Sequence, residues 1–313
     1  MADLLRRRAT GAALALQLDA ALGEPPNALH PVVAIGTLIQ RLKPATAASP
    51  ARELAHGAAI TAAVVALASL GGRCAAAVIH RLPPGPRPLA EAAALKPAMS
   101  FRALVGAADR VTAPLERGQL DEARAALSWL CSRDPSQLDE GELCAAVIES
   151  LAENLSDSVI APLLAWLAGG LPLAWAYRAT NTLDAMIGYR GRYEYLGKVA
   201  ARLDDVANLV PARLTAALLI AAAAATPGAD AVAAARVAGA DHVRTESPNA
   251  GWPMAAMAGA LGVRLSKPGA YTLHDAGRAP TAADVRRAQE LLHTAAALLS
   301  LGSLLAARPR FAG

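Results

Sequence analysis

The sequence predicts an all-α protein, an integral-membrane helical bundle of short Ala/Gly-rich helices, some broken or re-entrant, with cytoplasmic amphipathic helices beside them. Three observations carry this. Of 313 residues, 54% are hydrophobic and only 4% aromatic, with a mean hydropathy of +0.31, a balance that suits close packing of small side chains. Uncharged windows fall at 57–72, 158–177, 214–229 and 291–307, of which 158–177 reaches the ~20 residues a membrane span needs. Glycine and proline break that window, most densely at Gly169-Gly170-Leu171-Pro172, as a helix turning back on itself requires. The whole chain, 1–313, reads as one membrane-associated helical domain.

Residues 9–22 form the first apolar helix, which holds Asp19 and ends at Gly23-Glu24-Pro25-Pro26. Before it, Arg6-Arg7-Arg8 marks a basic cytoplasmic N-terminus. Asp19 interrupts the apolar run and no small-x-small site follows, which argues against an export signal. His30-Pro31 opens a second short helix through Ile39 and Arg41. Asp19, Glu24 and His30 cluster within twelve residues beside a proline turn, where a histidine is either structural or part of a site. Residues 44–52 read as a loop and 57–79 as a membrane helix broken only by Arg73. Pro83 to Pro88, four of six residues proline, form a rigid linker.

Within 100–130, Leu104, Val111 and Leu115 recur at helical spacing, Gly118 is a stop, and Leu120-Asp121 opens a second helix. Arg133-Asp134-Pro135 is then a turn, closed by an ion pair or left open for Arg133 to meet a phosphate. Asp139 is the N-cap of the next helix.

The stretch from Cys144 to Arg213 sets carboxylates, amides and arginines against apolar sequence. Glu149, Glu153 and Asp157 recur every four residues, forming one acidic stripe on a helix, with Asn154 beside it. Like charges so spaced cost about 0.2–0.5 kcal/mol per pair, so a cation should face them. Two copies of one pattern, Asn154-Leu-Ser-Asp157 and Asn181-Thr-Leu-Asp184, bracket the window 158–177, and Asp204, Asp205 and Asn208 follow. A straight helix would hold the two patterns about 30 Å apart. A hairpin turning at Gly169–Pro172 would bring both to one side, where hard oxygen ligands suit magnesium carrying a phosphate. It would also keep the arginine-rich segments 80–157 and 178–213 on the same side of the membrane.

Beyond the hairpin, Tyr189-Arg190-Gly191-Arg192-Tyr193-Glu194-Tyr195 suits a large flat ligand with amides and phosphate. Lys198, Arg202 and Asp205 share one helical face. An apolar helix follows at 209–226, then a helix within 230–246. Ser247-Pro248-Asn249-Ala250-Gly251-Trp252-Pro253 is a shaped loop whose tryptophan could support a ring system. A helix at 254–263, a loop at 268–280 and a helix at 281–307, apolar from 288, complete the chain.

The formal net charge of +4 comes from scattered arginine with no aromatic-interleaved basic run, which excludes a nucleic-acid partner and favours phosphate-bearing small molecules. Cys74, Cys131 and Cys144 lack metal or redox spacing and read as reduced thiols.

The chain resembles the adenosylcobinamide-phosphate synthases, integral-membrane enzymes of cobalamin biosynthesis. The matching segments are Leu18-Asp19…Leu22-Gly23-Glu24-Pro25-Pro26…His30-Pro31, Ser132-Arg133-Asp134…Leu138-Asp139, Glu149-Ser-Leu-Ala-Glu153-Asn154-Leu-Ser-Asp157, Asn181-Thr-Leu-Asp184-Ala-Met-Ile-Gly188-Tyr189, Ala201-Arg202-Leu-Asp204-Asp205-Val-Ala-Asn208…Pro211-Ala-Arg213 and Ser247-Pro248-Asn249-Ala-Gly251-Trp252-Pro253. They run in the family's order over roughly residues 18–265. Pro135, Ser158 and Met254 stand where the family more often has threonine, glycine and an acidic residue.

The resemblance implies an amide ligase that joins a carboxylate of adenosylcobyric acid to aminopropanol or its O-phosphate, with ATP as co-substrate and Mg2+ as cofactor. It implies a multi-pass protein of the cell (inner) membrane whose active site faces the cytoplasm. Lipid is then a partner, and a homo-oligomer is left open. On this reading we expect Glu153, Asp157, Asp184 and Asp205 to hold magnesium and Arg133, Arg190, Arg192, Lys198 and Arg202 to neutralise phosphates. Asn154, Asn181 and Asn208 would orient the phosphates. Glu149, Glu153, Asp184 and Lys198 are the catalytic candidates, with Glu149 accepting the ammonium proton, and Asn249 and Trp252 would contact the corrin. Two other classes compete: a membrane-embedded, magnesium-dependent prenyl or aryl transferase, and a non-enzymatic transporter or assembly subunit. Two phenylalanines are few for a lipid tunnel, and ATP consumption separates the ligase from both.

Overall fold

The computed structural model describes residues 2–44, 49–131, 133–189 and 191–307. In chain order the helices are α1 (Ala2–Leu22), α2 (Pro31–Leu42), α3 (Pro50–Ile79), α4 (Arg87–Leu95), α5 (Phe101–Glu116), α6 (Leu120–Leu127), α7 (Glu140–Leu155), α8 (Ala161–Gly169), α9 (Leu171–Ile187), α10 (Lys198–Ala207), α11 (Leu209–Ala225), α12 (Ala231–Asp241), α13 (Gly251–Leu261) and α14 (Ala282–Ala307). The chain divides into two compact units: Met1–Ser100 with Ala161–Asn208 and Ser300–Gly313, and Phe101–Ile160 with Leu209–Leu299.

In the first unit α9 is the hub, packing against α2, α3, α8 and α10. Ile39, Ile60, Val64, Ala179, Leu183, Ile187, Leu196 and Ala200 make the core. Two glycines let α3 press its backbone on its neighbours. A Cβ at Gly57 would lie 1.8 Å from the Leu196 carbonyl oxygen, and one at Gly72 would lie 2.6 Å from that of Leu171. The expected hairpin is present: α8 ends at Gly169, Gly170 takes φ +70°, and α9 starts with Pro172 in its first turn and packs on α8. Arg8 holds this corner by donating 2.9 Å bonds to the carbonyls of Leu167 and Ala168. Those carbonyls belong to the last turn of α8, which has no intrahelical partners for them.

In the second unit α13 packs against α7, α11 and α12. A two-stranded antiparallel ribbon, β1 (Leu265–Lys267) and β2 (Tyr271–Leu273), pairs Leu265 with Leu273 and lays β1 on α7. The loop expected at 268–280 therefore begins inside a hairpin, whose turn is Pro268-Gly269 with Gly269 at φ +74°. Asp139 caps α7, accepting from the Glu142 N–H, while Glu142 accepts from the Asp139 N–H; this is a capping box. Beyond Leu155 the helix continues as a π turn, Ser156–Ile160. Cys144 is buried, and burial pushes its thiol up to about 12, which keeps it an inert core group.

α3, with 30 residues, and α14, with 26, are long and apolar enough to cross a membrane, and α10 with α11 make a third if counted as one broken span. Only 17% of the apolar window of α3, and 17% of that of α14, is buried inside the protein, so these faces need lipid. α3 begins at Pro50, seven residues before the expected membrane helix, and α1 runs through Arg6-Arg7-Arg8, because arginine and alanine are good helix formers. α13 starts at Gly251, so Trp252 and Pro253 sit in its first turn instead of a loop.

Gly71 and Gly72 give a controlled comparison. Nothing lies within 4 Å of a Cβ built at Gly71. Gly72→Ala should cost about 1–3 kcal/mol through overpacking, while Gly71→Ala should be neutral or stabilising by up to about 1 kcal/mol. Thermal unfolding of the two variants in detergent checks this.

Candidate functional site

The polar residues of α9 and α10 meet in a seam inside the first unit. Asp204 is buried, and its carboxylate accepts from Asn208 Nδ2 at 2.9 Å and from Asn181 Nδ2 at 3.5 Å. The Tyr177 hydroxyl donates to Asn208 Oδ1 at 2.9 Å, and Arg178 Nη1 donates to Asn181 Oδ1 at 3.4 Å. Asp205, at the rim, pairs with Arg202 at 3.4 Å. Asp184 lies alongside: burial first, and then the charge of Asp205, push its carboxyl above the ordinary value. The charges of Asp184 and Asp205 also bear on Asp204. Gly188 has a spatial reason to be glycine, since a Cβ there would lie 2.0 Å from Asp184 Oδ1.

Thus Asn181, Asp184, Arg202, Asp205 and Asn208, all singled out in the sequence, lie together on α9, α10 and the cap of α10. Asp204 was named in the third acidic group without a role, and Tyr177 was missed. Asp204, and not its neighbour Asp205, carries the hydrogen-bond network, and Tyr177 lies outside both repeated patterns. Helical rotation of about 100° per residue was the available signal for Asp204, since Ala200 and Asp204 are the buried positions of α10.

Of the nearby cations Arg192, Lys198 and Arg202 are exposed, and Lys43 and Arg178 are half-buried. Lys198 lies 3.9 Å from Glu194 and 5.7 Å from the Tyr195 ring centroid. Arg192 and Lys43 stand 5.4 and 4.6 Å from the Tyr193 ring centroid, each a cation–π contact. Tyr193 and Tyr195 of this loop therefore hold cations. Arg190 and Ser132 lie outside the described residues.

The second unit holds the rest of the expected residues. Arg133 forms an ion pair with Glu149, and Arg133 Nη1 donates to the Ser266 carbonyl at 3.5 Å. The turn at Arg133 is thus closed by an ion pair. Glu149 is 3% exposed. Burial drives its carboxyl upward, while Arg133, the Tyr271 hydroxyl and Lys267 pull the other way. Arg133 loses by burial and gains more from Glu149, so its own pKa rises. Oε1 of Glu149 is buried with no hydrogen-bond donor among the described residues.

Asn154 Nδ2 donates to the Ser150 carbonyl at 3.0 Å. Glu153 and Asn154 stay on α7, whereas Asp157 falls in the π turn. Bonds closed i→i+5 there take Asp157 off the four-residue spacing, so the acidic stripe ends at Glu153. Trp252 stacks on His242 at 3.7 Å between centroids, Arg213 stands 5.1 Å from the Trp252 ring centroid, and Arg213 Nη1 donates to Asn249 at 3.3 Å. The Trp252 ring is therefore packed by protein groups.

The two Asn/Asp patterns belong to different units. Among the described residues no three His, Cys, Asp or Glu side chains are grouped as a ready metal-ligand set. The seam carboxylates influence one another electrostatically without converging on one point.

Comparison with known proteins places these residues in context. The family described as CobD/Cbib protein matches residues 12–299. Cobalamin biosynthesis protein CobD of Klebsiella pneumoniae subsp. pneumoniae is 41% identical over 263 residues, 81% of each chain. That of Citrobacter koseri is 40% identical over 301 residues, 91% of this chain and 93% of the other. Probable cobalamin biosynthesis protein CobD of Pyrococcus furiosus is 41% identical over 281 residues, 88% and 90%. No solved structure matches.

Removing Arg133 tests the buried pair. Arg133→Ala leaves Glu149 without its cation and should cost about 3–5 kcal/mol, with Arg133→Ala/Glu149→Gln recovering much of it. The pH dependence has a definite sign. In the single variant the Arg133 contribution is gone and burial outweighs what Tyr271 and Lys267 still pull down, so the Glu149 pKa stays above the ordinary value and the native state holds the proton more tightly than the unfolded chain. The deficit should then be small below that ordinary value and grow as pH rises through the raised one. Melting temperatures across pH, compared with the double variant, read it out.

Proposed function

The chain belongs to the CobD/Cbib protein family and is an enzyme of cobalamin biosynthesis; from that footing we propose that it joins a carboxylate of adenosylcobyric acid to the amine of (R)-1-amino-2-propanol O-phosphate or of aminopropanol, consuming ATP with magnesium. With the phosphorylated amine the product is adenosylcobinamide phosphate. The observation that carries this reading is the seam of α9 and α10: carboxylates and amides gathered among apolar helices, with exposed cations around them.

The chemistry asks for such a place. A carboxylate resists attack by an amine until ATP activates it, and the activation step develops anionic charge on transferring phosphoryl oxygens. Asp184, Asp204 and Asp205 are hard oxygen donors that repel one another; they form no ready three-carboxylate set, so magnesium here would be held by one or two of them, with water and the substrate's phosphate oxygens completing its ligands. Bound there, magnesium would neutralise phosphate charge. Asn181 and Asn208, already tied to Asp204, hold that carboxylate in one orientation. Lys198, Arg192 and Arg202, exposed at the same helix and loop, supply mobile positive charge for phosphate oxygens. In the second unit Glu149 serves to fix the Arg133 guanidinium instead of taking a proton, because the two are paired in a buried site. Glu153 and Asp157, also expected to hold magnesium, belong to the second unit. The protein sits in the cell membrane with this site toward the cytoplasm, where ATP is found.

The protein in lipid nanodiscs, supplied with adenosylcobyric acid, the phosphorylated amine and magnesium, should give the amide product by mass spectrometry only when ATP is present. Asp184→Asn and Asp204→Asn should each lower turnover by about 10–100-fold or more, with partial recovery at higher magnesium. Product formation without ATP would end the ligase reading. Full turnover of both variants at millimolar magnesium would end the assignment of the seam.

A further inference from the structure

α10 is short and strongly charged, with Lys198, Arg202, Asp204 and Asp205 among its ten residues. Successive positions turn by about 100°, which divides the helix into three faces. Ala200, Asp204 and the cap Asn208 are buried, on the side that packs against α3 and α9. Lys198 and Arg202 make a second, exposed face. The third carries Val199, Leu203 and Val206, of which Leu203 is 39% and Val206 66% exposed. The protein thus buries a partly polar face of α10 and leaves an apolar one open. A helix bathed in water on its outer side does the reverse. A high charge content beside an uncovered stripe of valine and leucine is instead the pattern of a helix lying at a membrane surface.

The loop before α10 carries a second sign of the same place. Tyr189 and Tyr195 are exposed, Arg192 is exposed, and Lys198 stands 5.7 Å from the Tyr195 ring centroid. Tyrosine beside arginine and lysine collects at the membrane–water boundary, where the ring meets acyl chains and the hydroxyl stays wet.

α3 sets the level. The Leu196 carbonyl, just before α10, presses on Gly57 of α3, and Leu196 and Ala200 share one core with Ile60 and Val64 of α3. Gly57 is also where Arg52, Glu53 and His56 give way to the uncharged window 57–72. In a membrane helix that change marks the edge of the hydrocarbon. α10 therefore begins at the edge, where its uncovered leucine and valine have acyl chains to meet.

We propose that α10 and the tyrosine loop before it form a membrane-surface element. Val199, Leu203 and Val206 enter the acyl boundary of a phospholipid leaflet, and Tyr189 and Tyr195 lie at the level of its headgroups. Lys198 and Arg202, turned to the side between this apolar face and Asp205, stay in the water at the leaflet surface. The seam then opens beside the membrane surface. This placement does not rest on the reaction proposed above.

Nitroxide labelling of the full chain, in nanodiscs of phosphatidylethanolamine and phosphatidylglycerol, tests it. Cys74→Ala and Cys131→Ala remove the accessible native thiols. Single labels then go on Leu203→Cys, Val206→Cys and Tyr195→Cys, with Leu67→Cys on the uncovered face of α3 as the lipid reference and Glu122→Cys as the water reference. The quantity read is the ratio of collision with oxygen to collision with a water-soluble nickel chelate. Leu203→Cys and Val206→Cys should each give a ratio severalfold above that of Glu122→Cys and in the range of Leu67→Cys. Tyr195→Cys should fall between the references. Nickel collision on the α10 face equal to that at Glu122→Cys would show water there and overturn the proposal. Protection from both reagents would show a protein surface, such as a second copy of the chain, and would overturn it equally. A Tyr195→Cys ratio at or above that of Val206→Cys would overturn the headgroup placement of the loop.

Discussion

A carboxylate taken out of water must be met by donors or by charge, and this requirement organises the polar interior of both units. The cost of an unmet carboxylate is several kcal/mol, comparable with the whole stability of many domains. Each buried acid is accordingly answered in its own way. Asp204 is answered by amides from α10 and α9. Glu149 is answered by an arginine from the loop before α7. Asp19 and Glu24 share a lysine that the chain delivers 72 residues later. Cooperation between elements distant in sequence is thus enforced by electrostatics, in helices that carry few large side chains to do it by shape.

Small residues set the other condition. Alanine and glycine on α3 and α9 let backbones approach until a single methyl group would collide with a carbonyl, as at Gly57 and Gly72. The same holds between α9 and the start of α10, where a Cβ at Gly197 would lie 1.7 Å from the Ile187 carbonyl oxygen, and asparagine on α9 reaches aspartate on α10. The same composition leaves α3 apolar around most of its surface, and lipid takes the place that a larger protein core would take in water. A polar seam and a lipid-facing span are compatible in the first unit because the seam lies between α9 and α10 while most of the apolar window of α3 is left uncovered.

Much of this was legible in the sequence. The hairpin at Gly169–Pro172 followed from two glycines and a proline inside a 20-residue window, and the helix stops at Gly23 and Gly118 followed from glycine's tolerance of positive φ. The repeated Asn/Asp pattern and the Asp204-Asp205…Asn208 group marked the seam's residues, but not that α9 and α10 alone would join them. Three things were not legible. The π turn at Ser156–Ile160 has no compositional mark, so Asp157 was placed in register with Glu149 and Glu153. The ribbon at 265–273 is short enough that its Pro268-Gly269 turn read as loop. Lys96 gave no local hint of its role, because its partners lie on α1 and the turn after it.

The doublet Asp204-Asp205 shows why residue type and spacing stop short of assigning roles. Successive helix positions differ by about 100°, so adjacent carboxylates on one helix cannot share an environment. One must turn inward and the other toward the rim. In α10 the inward residue is Asp204, and two amides fix it. The rim residue is Asp205, whose partner Arg202 is itself largely exposed. A fixed carboxylate offers pre-organisation, since its orientation is set before any ligand arrives. A rim carboxylate offers access, since its partner can be displaced at little cost. The doublet thus supplies a fixed and an accessible carboxylate from neighbouring positions of α10, with Asn181 of α9 contributing one of the amides that fix Asp204.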